Sequence, residues 1–204
     1  HPKELQLLTR EIKGKKEEIV ISTLLLRSMK KAIYSSESEG HFGLAAKFYC
    51  HFTSPIRRYP DLVIHRIIKD YLKGKLNYDR QNQLEKTLPE IAEHTSMTER
   101  RAEEAEREVE DLKKAQYMAE RIGEEFDGLV SSVTNFGLFV QLDNTIEGLV
   151  HFNNMEDDFY RFDEENYYII GERTNRIYRL GDRVRIEVIG ADVGKRNIDF
   201  RLID

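Results

Sequence analysis

The sequence contains one cysteine, no apolar run approaching the roughly 18 residues of a membrane-crossing helix, and no initiator methionine. Each shortage excludes something. Cys50 has no partner for an internal disulfide, so a reducing cytoplasm is the expected compartment. The lack of a signal-type or transmembrane-type segment points away from membranes. His1-Pro2-Lys3 at the start reads as a piece of a longer protein. No 20–50-residue repeat and no low-complexity tract is present, which sets solenoids aside. Compact metal motifs are missing too. His41, His51 and His65 stand too far apart in sequence for one, and the only adjacent Asp pair is Asp157-Asp158.

What is there suits a soluble globular chain. Its 204 residues are 40% hydrophobic and 34% charged, enough for one or two domains with real cores. The net charge of -5 argues against a uniformly basic coat, but it is unevenly spread. Residues 1–123 hold 23 Lys/Arg against 20 Asp/Glu, a net of +3, and residues 124–204 hold 9 against 17, a net of -8. Between 40 and 75, Lys47, Arg57, Arg58, Arg66, Lys69, Lys73 and Lys75 face only Asp61 and Asp70. A local basic stripe with aromatics is what a polyanion site needs, although a solvated helix face gives the same composition.

The hydrophobic period changes along the chain. Leu5, Leu8 and Ile12 predict a short helix over 3–13, ended by Gly14. Glu17–Tyr34 predicts a second helix, with acids early and Lys30-Lys31 late. His41–Phe52 reads as a strand pair or an irregular buried segment. Thr53–Tyr59, bracketed by Pro55 and Pro60, predicts a stiff loop. Pro60 then opens a helix to Leu72 with a buried stripe of Leu62, Val63, Ile67, Ile68 and Tyr71, closed by Gly74. A helical stretch follows over about 79–122, with a break expected near the capping-box run Ser96-Met97-Thr98-Glu99. After Gly123 the period becomes two, as in Val184, Ile186 and Val188. Five short strands, over 126–133, 138–142, 147–151 and around 183–188 and 198–202, suggest a closed barrel of OB type. The aromatic, acidic stretch 152–182 is expected to pack as a lid or cap. The fold class is therefore α+β, a mainly helical part over 1–122 followed by a five-stranded OB-fold β-barrel over 123–204.

The loop Thr53-Ser54-Pro55-Ile56-Arg57-Arg58-Tyr59-Pro60-Asp61 gathers two guanidinium groups, two hydroxyls and a ring on stiff backbone. Arginine offers a planar donor fork that fits phosphate oxygens, and a helix N-terminus after it adds positive potential. The plainer alternative has one arginine paired with Asp61 and the other in water.

The ordered run His41-Phe42-Gly43-Leu44, Tyr49, Phe52 through Asp61, and His65-Arg66 resembles the signature of the ribonuclease II/R (RNB) exoribonuclease family. Leu26-Arg27-Ser28-Met29 and Ala105-Glu106-Arg107-Glu108-Val109 resemble its flanking segments, and the Arg-Arg-Tyr-Pro-Asp form is nearer the R branch. The resemblance implies that 1–122 is the C-terminal part of an RNB catalytic domain. It implies processive hydrolysis of single-stranded RNA from the 3′ end to nucleoside 5′-monophosphates, with Mg²⁺ held by a cluster of Asp residues. That cluster lies upstream of the signature in the family and is missing here, so the chain is expected to bind RNA and not to cleave it alone. By position, Arg57 is the implied catalytic phosphate contact, and Glu106 matches an acidic position of the same cavity. Ser54, Arg58 and Tyr59 are implied RNA contacts or supports. Without the family match, Glu106 is one of seven acids on a solvated helix face over 99–111. A second reading is an RNB-like protein that binds RNA without cleaving it.

Val133-Thr134-Asn135-Phe136-Gly137-Leu138-Phe139-Val140 and Glu147-Gly148-Leu149-Val150-His151 resemble the S-one type of RNA-binding domain over about 124–203. Strand alternation would put Phe136 and Phe139 on opposite faces, and Gly137 permits a bulge or bend that brings them together. The resemblance implies base stacking by Phe136 and Phe139, stacking or a phosphate contact from His151, a phosphate contact from Arg196, and for Asp192 an orienting role or a contact to a sugar hydroxyl. One Phe in the barrel core and a merely polar His151 is the plainer alternative. With a net of -8, this domain is expected to bind weakly alone and to guide RNA held mainly by the basic part. DNA is not an expected partner, and the RNA-decay machinery or the ribosome are implied further ones.

Overall fold

The structure, a computed structural model, describes residues 2–15, 18–38 and 40–203. It divides into two compact units, His1–Glu18 with Leu24–Ala105, and Ile19–Thr23 with Glu106–Asp204.

The part of the chain before the barrel is helical and irregular. Helix α1 spans Pro2–Ile12, and Gly14, at φ +78°, takes the chain out of it. Helix α2 spans Glu18–Ser28 and stops six residues before the expected end at Tyr34. Ser28 Oγ donates to Leu25 O at 2.7 Å, and further on Tyr34 N–H donates to Ser96 Oγ at 2.9 Å. A local hydroxyl and a long-range bond thus outweigh the helical period. His41–Phe52 is irregular, with a lone bridge between His41 and Ala46. Helix α3 spans Tyr59–Leu72, with Pro60 in its first turn and Gly74 (φ +64°) after its end. Leu62, Val63 and Ile67 are half-buried, but Ile68 and Tyr71 are exposed, because the packing over α3 falls off toward its C-terminal end.

Helix α4 spans Tyr78–Ala119 as 42 unbroken residues, which corrects the expected break. Thr95, Ser96 and Thr98 donate their hydroxyls back to the carbonyls of Ile91, Ala92 and His94 at 2.6, 2.8 and 3.0 Å. The capping-box side chains are therefore satisfied inside the helix, and no terminus is needed.

In the second unit, five strands close the expected OB-type barrel: β1 (Glu125–Thr134), β2 (Gly137–Leu142), β3 (Glu147–His151), and two further strands at Arg183–Asp192 and Asn197–Ile203. Between β3 and the fourth barrel strand run three short strands, β4 (Tyr160–Asp163), β5 (Tyr168–Gly171) and β6 (Ile177–Arg179), so the last two barrel strands are β7 and β8. The barrel order is β1-β2-β3-β8-β7, antiparallel except where β3 meets β8. Alternate residues point inward: Val130, Leu138, Val140, Val150, Ile186, Val188 and Phe200 are fully buried, joined by Ala115 and Met118 from the end of α4.

The 152–182 stretch is a three-stranded meander, β4-β5-β6, whose Ile169 enters the same core. Asp158 ties it together. Its carboxylate accepts from the backbone N–H groups of Phe159, Arg173 and Thr174 and from the Thr174 hydroxyl, at 2.6–3.2 Å. Burial alone would raise this carboxyl, but the Thr174, Phe159 and Arg173 hydrogen bonds outweigh it and hold it far below the usual carboxylate range.

Candidate nucleic-acid interface

In the first unit the arginine loop is a tight turn locked onto α3. Ser54 O accepts from both Arg57 N–H (3.2 Å) and Arg58 N–H (3.0 Å), which folds the chain back on itself. Asp61, in the first turn of α3, closes the other side. Its Oδ2 accepts from Ser54 N–H at 2.8 Å and from the Arg58 guanidinium at 2.9 Å, and its side chain is wholly buried. Burial pushes the Asp61 carboxyl up, but the Ser54 and Arg58 bonds win and leave it lower than an ordinary aspartate.

The two arginines therefore differ in kind. Arg58 is spent inside the turn, whereas Arg57 is exposed and none of its side-chain atoms is engaged by a described residue. Tyr59 is half-exposed at the start of α3, and Ser54 is half-buried with its backbone used on both sides. The turn presents one free guanidinium, one ring and a helix N-terminus together, an arrangement suited to an anion.

Beside this turn the first unit holds a cavity of about 270 Å³, lined among others by Tyr34, His41, Tyr49, His51 and Glu99. Tyr34 Oη lies 2.9 Å from His51 Nδ1 and donates to Glu99 at 3.3 Å. Burial, then the Glu99 carboxylate, push the Tyr34 hydroxyl up to about 12, so it stays protonated at neutral pH. His65 stacks on Phe52 with centroids 4.2 Å apart and bonds Phe52 O at 2.9 Å. Sequence spacing carried no sign of these contacts, because every partner is distant in the chain or on irregular backbone. Glu106 is exposed on α4 in the second unit. Among the described residues no three His, Cys, Asp or Glu side chains form a group that could hold a metal, so the residues present do not fit Mg²⁺.

In the second unit the aromatic residues do meet on one surface, by a route different from the expected one. Thr134 pairs with Gly137, so Asn135 and Phe136 form the two-residue turn between β1 and β2, and Phe136 is free of strand alternation. A bulge does occur, but in β1, between Val130 and Ser132, opposite Val140 and Phe139. Gly137 is required for another reason: a Cβ there would stand 2.2 Å from Val150 O. Phe136 packs edge-on to Phe139 at 6.1 Å and nearly parallel to His151 at 6.5 Å. Phe136 is 42% exposed, and Phe139 and His151 are half-buried. His151 Nδ1 accepts from Asn153 N–H at 3.1 Å, which fixes the ring and places the proton of the neutral imidazole on Nε2.

At the β7–β8 hairpin Arg196 takes a left-handed conformation, φ +60°. Asp192 does not pair with it. Asp192 Oδ1 instead accepts from Lys195 N–H at 3.0 Å and shapes the turn, whereas Arg196 pairs with Glu108 of α4 at 3.3 Å. The two side chains that the resemblance groups at this hairpin are thus engaged separately, Asp192 with the turn and Arg196 with α4.

The chain matches the RNB domain over residues 2–74 and the S1 RNA binding domain over residues 120–202. It is 50% identical over 98% of its length to ribonuclease R 1 of Lactococcus lactis, and 44% identical over 99% to ribonuclease R of Escherichia coli. It spans 25% and 26% of those relatives, about a quarter of their length. Its fold superposes on the apo form of Mycoplasma genitalium RNase R with a TM-score of 0.84 at 34% identity, covering 96% of this chain and 31% of that one. The same score is found with that enzyme in complex with ribose methylated single-stranded RNA. Over nearly all of its residues, an RNB segment followed by an S1 barrel, this chain is similar in sequence and in fold to ribonuclease R.

Proposed function

We propose that this chain is the RNA-gripping C-terminal portion of a processive 3′-to-5′ exoribonuclease that releases nucleoside 5′-monophosphates. Residues 1–122 serve as the C-terminal part of its catalytic domain and 123–204 as its RNA-guiding domain. The observation that carries the reading is the turn at 54–61, where Asp61 consumes Arg58 and leaves the exposed Arg57 guanidinium with no partner among the described residues. A free guanidinium on clamped backbone can grip two phosphate oxygens and stabilise the charge that builds on them as the ester breaks. Ser54 and Tyr59 flank it as contacts for the strand and Arg58 holds the turn, while Glu106, in the second unit, keeps only the acidic role that the family resemblance implies. On the barrel, Phe136, Phe139 and His151 stack on bases without reading sequence, and Arg196 meets a phosphate beside the turn that Asp192 shapes.

Mg²⁺ belongs to this reading as a need of the whole enzyme, with ligands outside these residues, so the chain alone binds single-stranded RNA and does not cleave it. The cytoplasm, with its RNA-decay machinery, is the proposed setting; DNA and membranes are not proposed partners. A second reading, an RNB-like binding protein without hydrolysis, is told apart by the Asp cluster that the family carries upstream of the signature: its presence in the full-length protein favours the enzyme and its loss favours the binding protein. The test is a 3′-labelled single-stranded RNA incubated with Mg²⁺ and either this chain or the full-length protein. The proposal expects mononucleotides only from the full-length protein. Release by this chain alone would overturn the division of labour, and no release by either would favour the binding protein.

A further inference from the structure

The RNA surface proposed for the barrel has a second wall outside the barrel. A groove of about 290 Å³ runs in the second unit between α4 and the outer face of β2, β3 and β8, lined by Asp111 and Lys114 on one side and Phe139, Glu147, Arg196 and Asp199 on the other. Helix α4 presents Glu108, Asp111 and Lys114 at intervals of three residues, so the three lie along one side of it. The charge of this groove is wrong for a bare phosphate seat. Lys114 is 3.8 Å from Glu110, Glu147 accepts from Ser131 Oγ at 2.5 Å, and Arg196 is already held by Glu108 at 3.3 Å. The carboxylate of Glu108 meets one Nη of Arg196, so it competes with a strand phosphate for part of the same donor fork.

We infer that Glu108 is a built-in competitor for RNA: it holds one Nη of Arg196 in the empty protein, and a strand phosphate gains the full donor fork only by displacing it. This rests on the proposed RNA-binding reading and adds a regulatory element to the same site. Both partners are partly exposed, so water screens the pair, and the exchange is a shallow one. Its effect is to lower the affinity of the barrel and hasten release, which suits a surface that passes a strand along. Asp111, one turn further along α4, adds repulsion without a guanidinium of its own.

The experiment is a fluorescence-anisotropy titration of this chain with a labelled ten-nucleotide oligouridylate at about 50 mM salt, in a two-by-two cycle of Glu108→Gln and Arg196→Ala. Glu108→Gln is expected to tighten binding about threefold, and to do nothing once Arg196 is alanine, since the competitor then has nothing to occupy. An unchanged affinity in Glu108→Gln would overturn the inference. So would a tightening that persists in the Arg196→Ala background, because that marks a bulk charge effect. Phe136→Ala with Phe139→Ala serves as the independent arm. If the unaltered chain does not bind, or binds regardless of both rings, the RNA-binding reading itself fails and the competitor falls with it.

Discussion

The two units are stabilised by different means. Fifteen buried apolar residues form one core in the second unit, whereas in the first unit Ile12 is the one buried apolar side chain among the described residues. The first unit instead buries Asp61 and leaves Phe42, Phe48, Phe52 and Ile56 exposed. A packed barrel can lose one surface group and keep its shape. A turn held by one carboxylate cannot, since removing a partner strands a buried charge. The arginine turn is therefore the fragile part, and the aromatic surface of the barrel is the robust one.

The strongest way to break this comparison is Asp61→Ala. It leaves the Arg58 guanidinium without its buried partner and should cost about 3–5 kcal/mol. Denaturant unfolding should show the loss in the helical signal, with the barrel transition in place; simultaneous loss of both would refute the separation. Next in size, Arg57→Ala in the full-length protein should lower kcat about 100-fold, the scale of losing one preorganised donor at developing charge. Single-turnover hydrolysis with unchanged melting would show that the free arginine acts on substrate and not on the fold. Phe136→Ala with Phe139→Ala should weaken oligouridylate binding about tenfold, in keeping with roughly 1–3 kcal/mol per stacked base, and leave barrel stability nearly untouched.

The smallest effect concerns acid. The folded Asp158 carboxyl titrates lower than an unfolded aspartate, so its ionised form stabilises the protein at neutral pH. That contribution starts to fade as the pH falls below about 4, the ordinary aspartate range, and disappears as the folded carboxyl protonates. Asp158→Asn should flatten the acid limb of barrel unfolding followed by tyrosine near-ultraviolet dichroism. An unaltered slope would show that the meander does not depend on this charge.

Legibility in the sequence followed the range of the interactions. The barrel strands were readable because Val184, Ile186 and Val188 alternate over a core that needs alternation. Phe136 and Phe139 were readable as a pair but not as a geometry, since a two-residue turn, and not a bend at Gly137, releases Phe136 from the strand. The early end of α2 was hidden because Tyr34 leaves the helix for Ser96, 62 residues away. The short strands β4 to β6 fall below what a period of two can reveal, and Asp158 looks like any acid until its donors fold around it. In the arginine loop the residues were evident, but which arginine is free and which is spent depends on Asp61 turning inward from α3.

The placement of Phe136 in a turn has a practical side. A ring there touches no interior packing, so its identity can be exchanged without repaying the barrel. The chain contains no tryptophan. An indole introduced at this single position would be the molecule's only one, and its emission would report the arrival of each base at the hairpin tip with no dye attached to the RNA.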